Sequence, residues 1–433
     1  MLRRFGKTAR PLRLGRRLLK NIFNFCGIAV PLFVASTLPL FAGAKAARNE
    51  EPPAATPEVR IPVGVLGYRP PGSLYLLSRM SFSSLDFVDS SHVLFTFHQS
   101  QLLHRAADAT SSDDDEMIHA VVLAVPDGQV TATADWRMHD RSRYLWPLSE
   151  GRFLVRQRNS YFITDNSLQL HGLVASPTPV RTTEVSPDGH LLAVEREFER
   201  HTPEEHAKLE QESNRFGDTP PAEDTEIDLL NLDTRTVLKR MRVELPIVLP
   251  IAASGYLAVQ QGKRADDYVM EYFLFSGNEV TLGTVASTCK PRETFLSATV
   301  LMIESCGPNN SDVFIDTWTT DGKKLWQGRR DGRAVWPTFA ASRNGNRFAI
   351  GLLQVSHSID LADSLIDSDV KRQLVQVFDT NTGTLLLTTY ASPVLTAGQN
   401  FALSPEGDRL AVLRDGAIEI FRVPTVSPTT PSK

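Results

Sequence analysis

The chain is 433 residues long, 42% hydrophobic and 22% charged, with a formal net charge of −4. That composition excludes intrinsic disorder over most of its length. The charge is uneven: residues 1–44 hold eight Lys or Arg and no acid, leaving 38 basic against 50 acidic residues, or −12, for the rest. An acidic body argues against nucleic acid as a partner, since phosphate neutralisation needs a basic surface.

Residues 1–46 read as a signal peptide or a membrane anchor. Arg3, Arg4, Lys7, Arg10, Arg13, Arg16, Arg17 and Lys20 precede an apolar run over 22–44, and Ala42-Gly43-Ala44 or Ala44-Lys45-Ala46 offers a small-x-small cleavage site. Cleavage predicts a periplasmic or secreted protein. Retention predicts a membrane tether through residues 22–44, although Pro31 and Pro39 disfavour a regular spanning helix. An Arg-rich, acid-free mitochondrial presequence is the third reading. Residues 47–72 follow as a Pro-rich linker, and 73–80 (SLYLLSRM) as one isolated strand.

From residue 82 onward a strand-turn-strand pattern recurs. Its clearest copies are EVSPDGHLLAVER from Glu184, FAASRNGNRFAIGL from Phe339 and FALSPEGDRLAVLRD from Phe401, with looser copies over 85–97, 144–155, 248–259 and 294–303. A second hairpin recurs downstream of each turn, as in DLLNLDTRTVLKR from Asp228 and VFDTNTGTLLLTT from Val377. Asn, Asp and Gly supply the positive φ that such turns require. Seven units of this kind predict a single all-β domain, a seven-bladed β-propeller of four-stranded antiparallel blades. The predicted blades span 82–136, 144–175, 182–244, 247–286, 289–328, 336–391 and 399–423. The last has three strands before the Pro/Ser/Thr tail at 424–433. Residues 73–80 are therefore expected to close the ring as its outer strand, pairing with 417–423, because an unpaired edge invites aggregation.

The Ser-Pro-Asp/Glu-Gly turns at 186–189 and 404–407 resemble those of bacterial WD40-like and TolB-like propellers. The resemblance covers about residues 73–423 and implies the fold alone. The hairpin end Leu325-Trp326 also resembles the tryptophan-docking motif of quinoprotein propellers.

In a propeller the b–c and d–a loops share one face, where ligands meet the channel mouth. Long b–c loops are expected at 98–116, 197–225 and 356–371, the first carrying Asp113, Asp114, Asp115 and Glu116. They are either solvated charge or an acidic rim that attracts a basic partner or Ca²⁺, although no segment has the spacing of an EF-hand loop. Thr202-Pro203-Glu204-Glu205 predicts a short capped helix in the second of them. Two d–a loops run basic instead, WRMHDRSRYLWP and WQGRRDGRAVWP. They make His139, Arg141, Arg143, Trp146, Arg329, Arg330, Arg333 and Trp336 candidates for a carboxylate, sulfated or aromatic ligand. The competing reading packs the Trp rings between blades and pairs the Arg residues with acids.

Cys289 and Cys306 flank a predicted a–b hairpin at equal distances from its turn, which predicts a disulfide between them. No linear signature of a hydrolase, metalloprotease or phosphate loop is present, and no cofactor or metal is expected. The sequence thus favours an exported, non-catalytic, monomeric propeller that binds an unidentified protein or small ligand. The alternative is an extracytoplasmic hydrolase or lyase with a site assembled at the propeller axis.

Overall fold

The computed structural model describes residues 55–71, 83–98, 116–138, 143–198, 207–208, 211, 224–243, 248–308, 312–330, 334–357, 367–395 and 399–425. The expected signal or anchor segment lies outside them, as does the tail beyond residue 425. Of the second long loop, the ends 197–198 and 224–225 belong to the flanking strands, and between them Ala207, Lys208 and Gln211 are described, all three helical. No helix among the described residues is long and apolar enough to cross a membrane.

Seven separate four-stranded antiparallel sheets form, and within each the hydrogen-bonding order of the strands, a to d, follows the blade pattern. The innermost strands a are Ser83–Asp89, Leu145–Pro147, Val180–Val185, Ile251–Ala252, Arg292–Phe295, Ala334–Ala341 and Phe401–Leu403. The core is divided in the same way. Seven apolar clusters lie between neighbouring blades: Leu94 with Phe153, Leu154 with Leu192, Leu191 with Tyr256, Leu257 with Leu301, Leu296 with Phe348, Ala349 with Leu410, and Leu85 with Ile418. The last pair joins blade 7 to blade 1. The sheets therefore make a closed, seven-bladed, all-β propeller.

The repeated turn explains why this spacing folds as it does. In the blade 3 copy, Gly189 N donates to Ser186 O at 2.8 Å and Leu191 N to Ser186 Oγ at 2.9 Å, with Gly189 at φ +73°. Blades 6 and 7 repeat it: Gly345 and Gly407 have φ +69° and +73°, and Ser342 and Ser404 take the bonds that Ser186 takes. A serine hydroxyl thus accepts the amide that starts strand b, and only the glycine adopts the left-handed backbone without steric penalty.

Ring closure differs from the expectation in which strand performs it. Val59–Pro62 is the outer strand of blade 7, pairing Val59 with Ile420 and Pro62 with Ala417. The position expected for residues 73–80, which are outside the described residues, is therefore occupied from within the stretch expected to be linker. The alternation Val59, Ile61, Val63 carries the strand signal; Ile61 and Val63 are buried in the cluster shared by blades 7 and 1. Proline at 57 and 62 disguises the strand. On an outer edge the missing proline N–H removes no ladder bond. Glu58 N and Val63 N extend the pairing to Ile420 O and Gly416 O, and ion pairs Arg60–Glu419 and Glu58–Arg422 flank it.

Trp136 and Trp326 are the wedges between blades. Each stands on an outer strand d and donates its indole N–H to a carbonyl of the next blade's c–d turn, Trp136 to Leu168 O at 3.2 Å and Trp326 to Thr380 O at 2.8 Å. Trp326 also stacks on Phe348 with ring centroids 6.1 Å apart, and a Cβ on Gly383 would meet its ring at 2.6 Å. The motif that resembles tryptophan docking is thus an inter-blade contact here, used twice.

The disulfide forms between Cys289 and Cys306, with Cα atoms 5.5 Å apart. It clamps the approach to strand a of blade 5 onto the end of strand b. Around it, Cys306 N donates to Ser287 Oγ at 2.9 Å and Thr288 N to Cys306 O at 3.1 Å. A bond spanning 17 positions restricts the unfolded chain by about 3 kcal/mol. The double variant Cys289→Ser/Cys306→Ser is expected to lose about that much in a urea titration. Thiol counting on the denatured full chain should find Cys26 alone before reduction; three reactive thiols would overturn the bond.

Candidate functional site

A cavity of about 710 Å³ runs along the propeller axis, lined from the innermost strand of every blade or the loop leading into it. Arg143, Lys290 and Gln399 line it where the d–a loops enter; Pro187, Leu296 and Arg343 line it at the a–b turns. It therefore reaches from one face toward the other. Among the described residues, Asp86, Glu184, Glu293 and Glu304 share the lining with Arg143, Lys290, Arg292 and Arg343.

Arg143 is the one residue of the expected cluster, among the described residues, whose side chain lines this cavity with uncommitted donors. Its guanidinium is open to channel water yet surrounded by protein, and burial lowers its pKa while Asp86 and Glu184 oppose the shift. Its Nε donates to Leu145 O at 3.0 Å, and its Cζ sits 5.4 Å from the ring centroid of Trp146. No other hydrogen bond of its side chain exists among the described residues. Trp146 is buried between blades 2 and 3 with one edge in the lining, so it serves both expected roles, packing and cavity wall.

Asp86 alternates with core residues Leu85 and Phe87, which puts its carboxylate on the other face of strand a, where it lines the cavity. Ser84 Oγ donates to it at 3.1 Å and Gln399 Nε2 at 3.2 Å. Burial raises its pKa to about 7, against the opposing pull of Arg143, the Ser84 bond and Arg343. Glu184 is raised by burial as well, with Arg143 opposing. On blade 5, Glu293 is raised to about 7 by burial, with Lys290, a bond from its own backbone N–H and Arg292 opposing, and its Oε1 is buried without a hydrogen-bond partner among the described residues. Arg343, in the a–b turn of blade 6, donates to Phe87 O at 3.1 Å and Val88 O at 3.2 Å on blade 1.

The other expected residues are placed differently. Arg329 lies on the outermost strand of blade 5, exposed and ion-paired with Asp312, and is not in the lining. Arg330 stands behind the cavity wall, 3.2 Å from Glu304, which does line it. His139, Arg141, Arg333 and Asp113, Asp114 and Asp115 lie outside the described residues. Trp336 lies within strand a of blade 6 and Glu116 opens strand c of blade 1, but their side chains are outside the described set. Asp86, Glu184, Glu293 and Arg343 were not expected. They stand within, or just after, an innermost strand, and the sequence alone does not mark them out from other charged strand residues.

No protein family and no curated protein matches this chain. Solved structures with a related shape include the uncomplexed acylaminoacyl peptidase of Pyrococcus horikoshii, 9% identical, with a TM-score of 0.49 over 82% of this chain and 54% of that one. The WD40 domain of Toxoplasma gondii coronin is 11% identical, with a TM-score of 0.42 over 85% of both chains. The C-terminal WD40 domain of Sif2 is 10% identical, with a TM-score of 0.41 over 86% of this chain and 99% of that one. This chain spans about half the length of the peptidases it matches. At such scores and identities these likenesses carry no argument about activity, and the seven-bladed architecture rests on the strand pairing itself.

Proposed function

We propose that this protein is an exported, non-catalytic propeller that binds a small polar ligand in its central channel, entered from the d–a loop face. The observation that supports this is Arg143. A guanidinium held at Nε, backed by Trp146 and enclosed in a cavity, presents its remaining N–H groups to whatever enters. Channels of this size and mixed lining suit ligands of drug-like dimensions. Export is supported by the disulfide, since such bonds persist in oxidising compartments.

Titration calorimetry with acetate, succinate, benzoate and glycyl-glycine tests the proposal. At least one carboxylate should bind saturably, and Arg143→Gln should weaken it at least tenfold in a variant that still unfolds cooperatively. Binding that ignores Arg143, or no binding, would overturn it.

A second reading, a hydrolase or lyase working at the axis, draws support from Asp86 and Glu293. Carboxyls shifted to about 7 in a cleft are suited to proton transfer. Product analysis after incubation with any probe that binds separates the two. Turnover abolished by Asp86→Asn with binding retained would establish catalysis.

A further inference from the structure

Resting on the channel reading, we infer that the ligand is dipolar: a small molecule whose carboxylate docks on Arg143 and whose ammonium docks on Glu293. An amino acid or short peptide has this chemistry.

Three observations converge. The first is the pairing of anchors. Arg143 offers donors that no described residue takes, and Glu293 holds a buried oxygen that accepts no hydrogen bond. A buried carboxylate oxygen without a donor is costly, and a ligand N–H would relieve that cost. The second is placement. Arg143 enters from blade 2 and Glu293 stands on strand a of blade 5, three blades on in a ring of seven. The two line different walls of one cavity, so one ligand would meet them with different ends. The third is charge balance. Among the described residues each anchor is flanked by groups of the opposite sign, so neither wall presents a field of one sign. Asp86 and Glu184 beside Arg143 penalise a lone anion, and Lys290 and Arg292 beside Glu293 penalise a lone cation. A molecule bearing both charges satisfies both anchors without adding net charge to the channel as a whole. The disulfide of Cys289 is one residue from Lys290 and four from Glu293, which holds the cationic-end wall in place.

Calorimetry on the full chain at neutral pH decides this with three probes of one length: glycyl-glycine, its N-acetylated form, and its C-terminal amide. The free dipeptide is expected to bind at least tenfold tighter than either blocked form. Arg143→Gln should weaken the dipeptide tenfold and leave the amide unchanged. Glu293→Gln should weaken the dipeptide and leave the acetylated form unchanged. Arg143→Lys, which keeps the charge but loses the fork, should fall between Arg143→Gln and the parent. If the acetylated form binds as tightly as the dipeptide and still depends on Arg143, the dipolar inference fails and the channel reading stands. If no probe binds, or neither variant alters binding, both fail.

Discussion

Deleting residues 55–66 is expected to open the ring and leave a protein that no longer melts cooperatively. The deletion removes the outer strand of blade 7 together with Ile61 and Val63, which are buried where blades 7 and 1 meet. Burial of each aliphatic side chain contributes about 1.5–3 kcal/mol, and the lost pairing adds on the order of 1 kcal/mol per hydrogen bond. The sum, on the order of 5 kcal/mol or more, is comparable with the whole stability of many domains, about 5–15 kcal/mol. Ala417–Arg422 would also become an open edge, so aggregation should accompany the loss. Ile61→Ala is the gentler version, with an expected loss of about 2–5 kcal/mol. A truncated chain that unfolds in urea at the parent midpoint, with the parent slope, would show that closure resides elsewhere.

Acidification from pH 8 to pH 5 is expected to stabilise this propeller. Asp86 and Glu293 both titrate near 7 in the folded protein, well above their unfolded values. A carboxyl with a raised folded pKa binds its proton more tightly in the native state, so stability falls as pH climbs from about 4 to about 7 and then levels. The rise of Asp86 from 3.8 to about 7 corresponds to about 4 kcal/mol at full strength, and channel water reduces the realised figure to roughly 2–4 kcal/mol. Glu293, less deeply buried, adds less. Asp89, Asp165 and Asp233 are lowered instead, and their stabilisation fades only below about pH 4, outside this window. Asp86→Asn should flatten most of the slope while keeping the bonds to Ser84 and Gln399, since an amide can serve both. A melting temperature that is flat or rising between pH 5 and pH 8 would refute the assignment of a strained carboxyl at the axis.

The blade count, the strand limits to within a few residues, and the Cys289–Cys306 bond were all legible in the chain. Each depends on local rules. A Ser-x-x-Gly turn needs a left-handed glycine wherever it falls, strand alternation has period two, and two cysteines placed symmetrically about a hairpin turn must meet. What lay beyond the sequence was every property set by the ring rather than by the blade. Closure was expected from residues 73–80, and Val59–Pro62 performs it from a stretch that its prolines made read as linker. Only the packing of Ile61 and Val63 against Leu85 and Phe95 selects that strand. Arg143 and Arg329 read alike, as arginines in or beside basic d–a loops; the first points into the channel, while the second sits on an outermost strand beside Asp312. Asp86, Glu184 and Glu293 are about 100 residues apart in succession, and no spacing connects them. They become one site because seven innermost strands converge on a common axis, and burial there, which only the assembled ring provides, is what shifts their protonation.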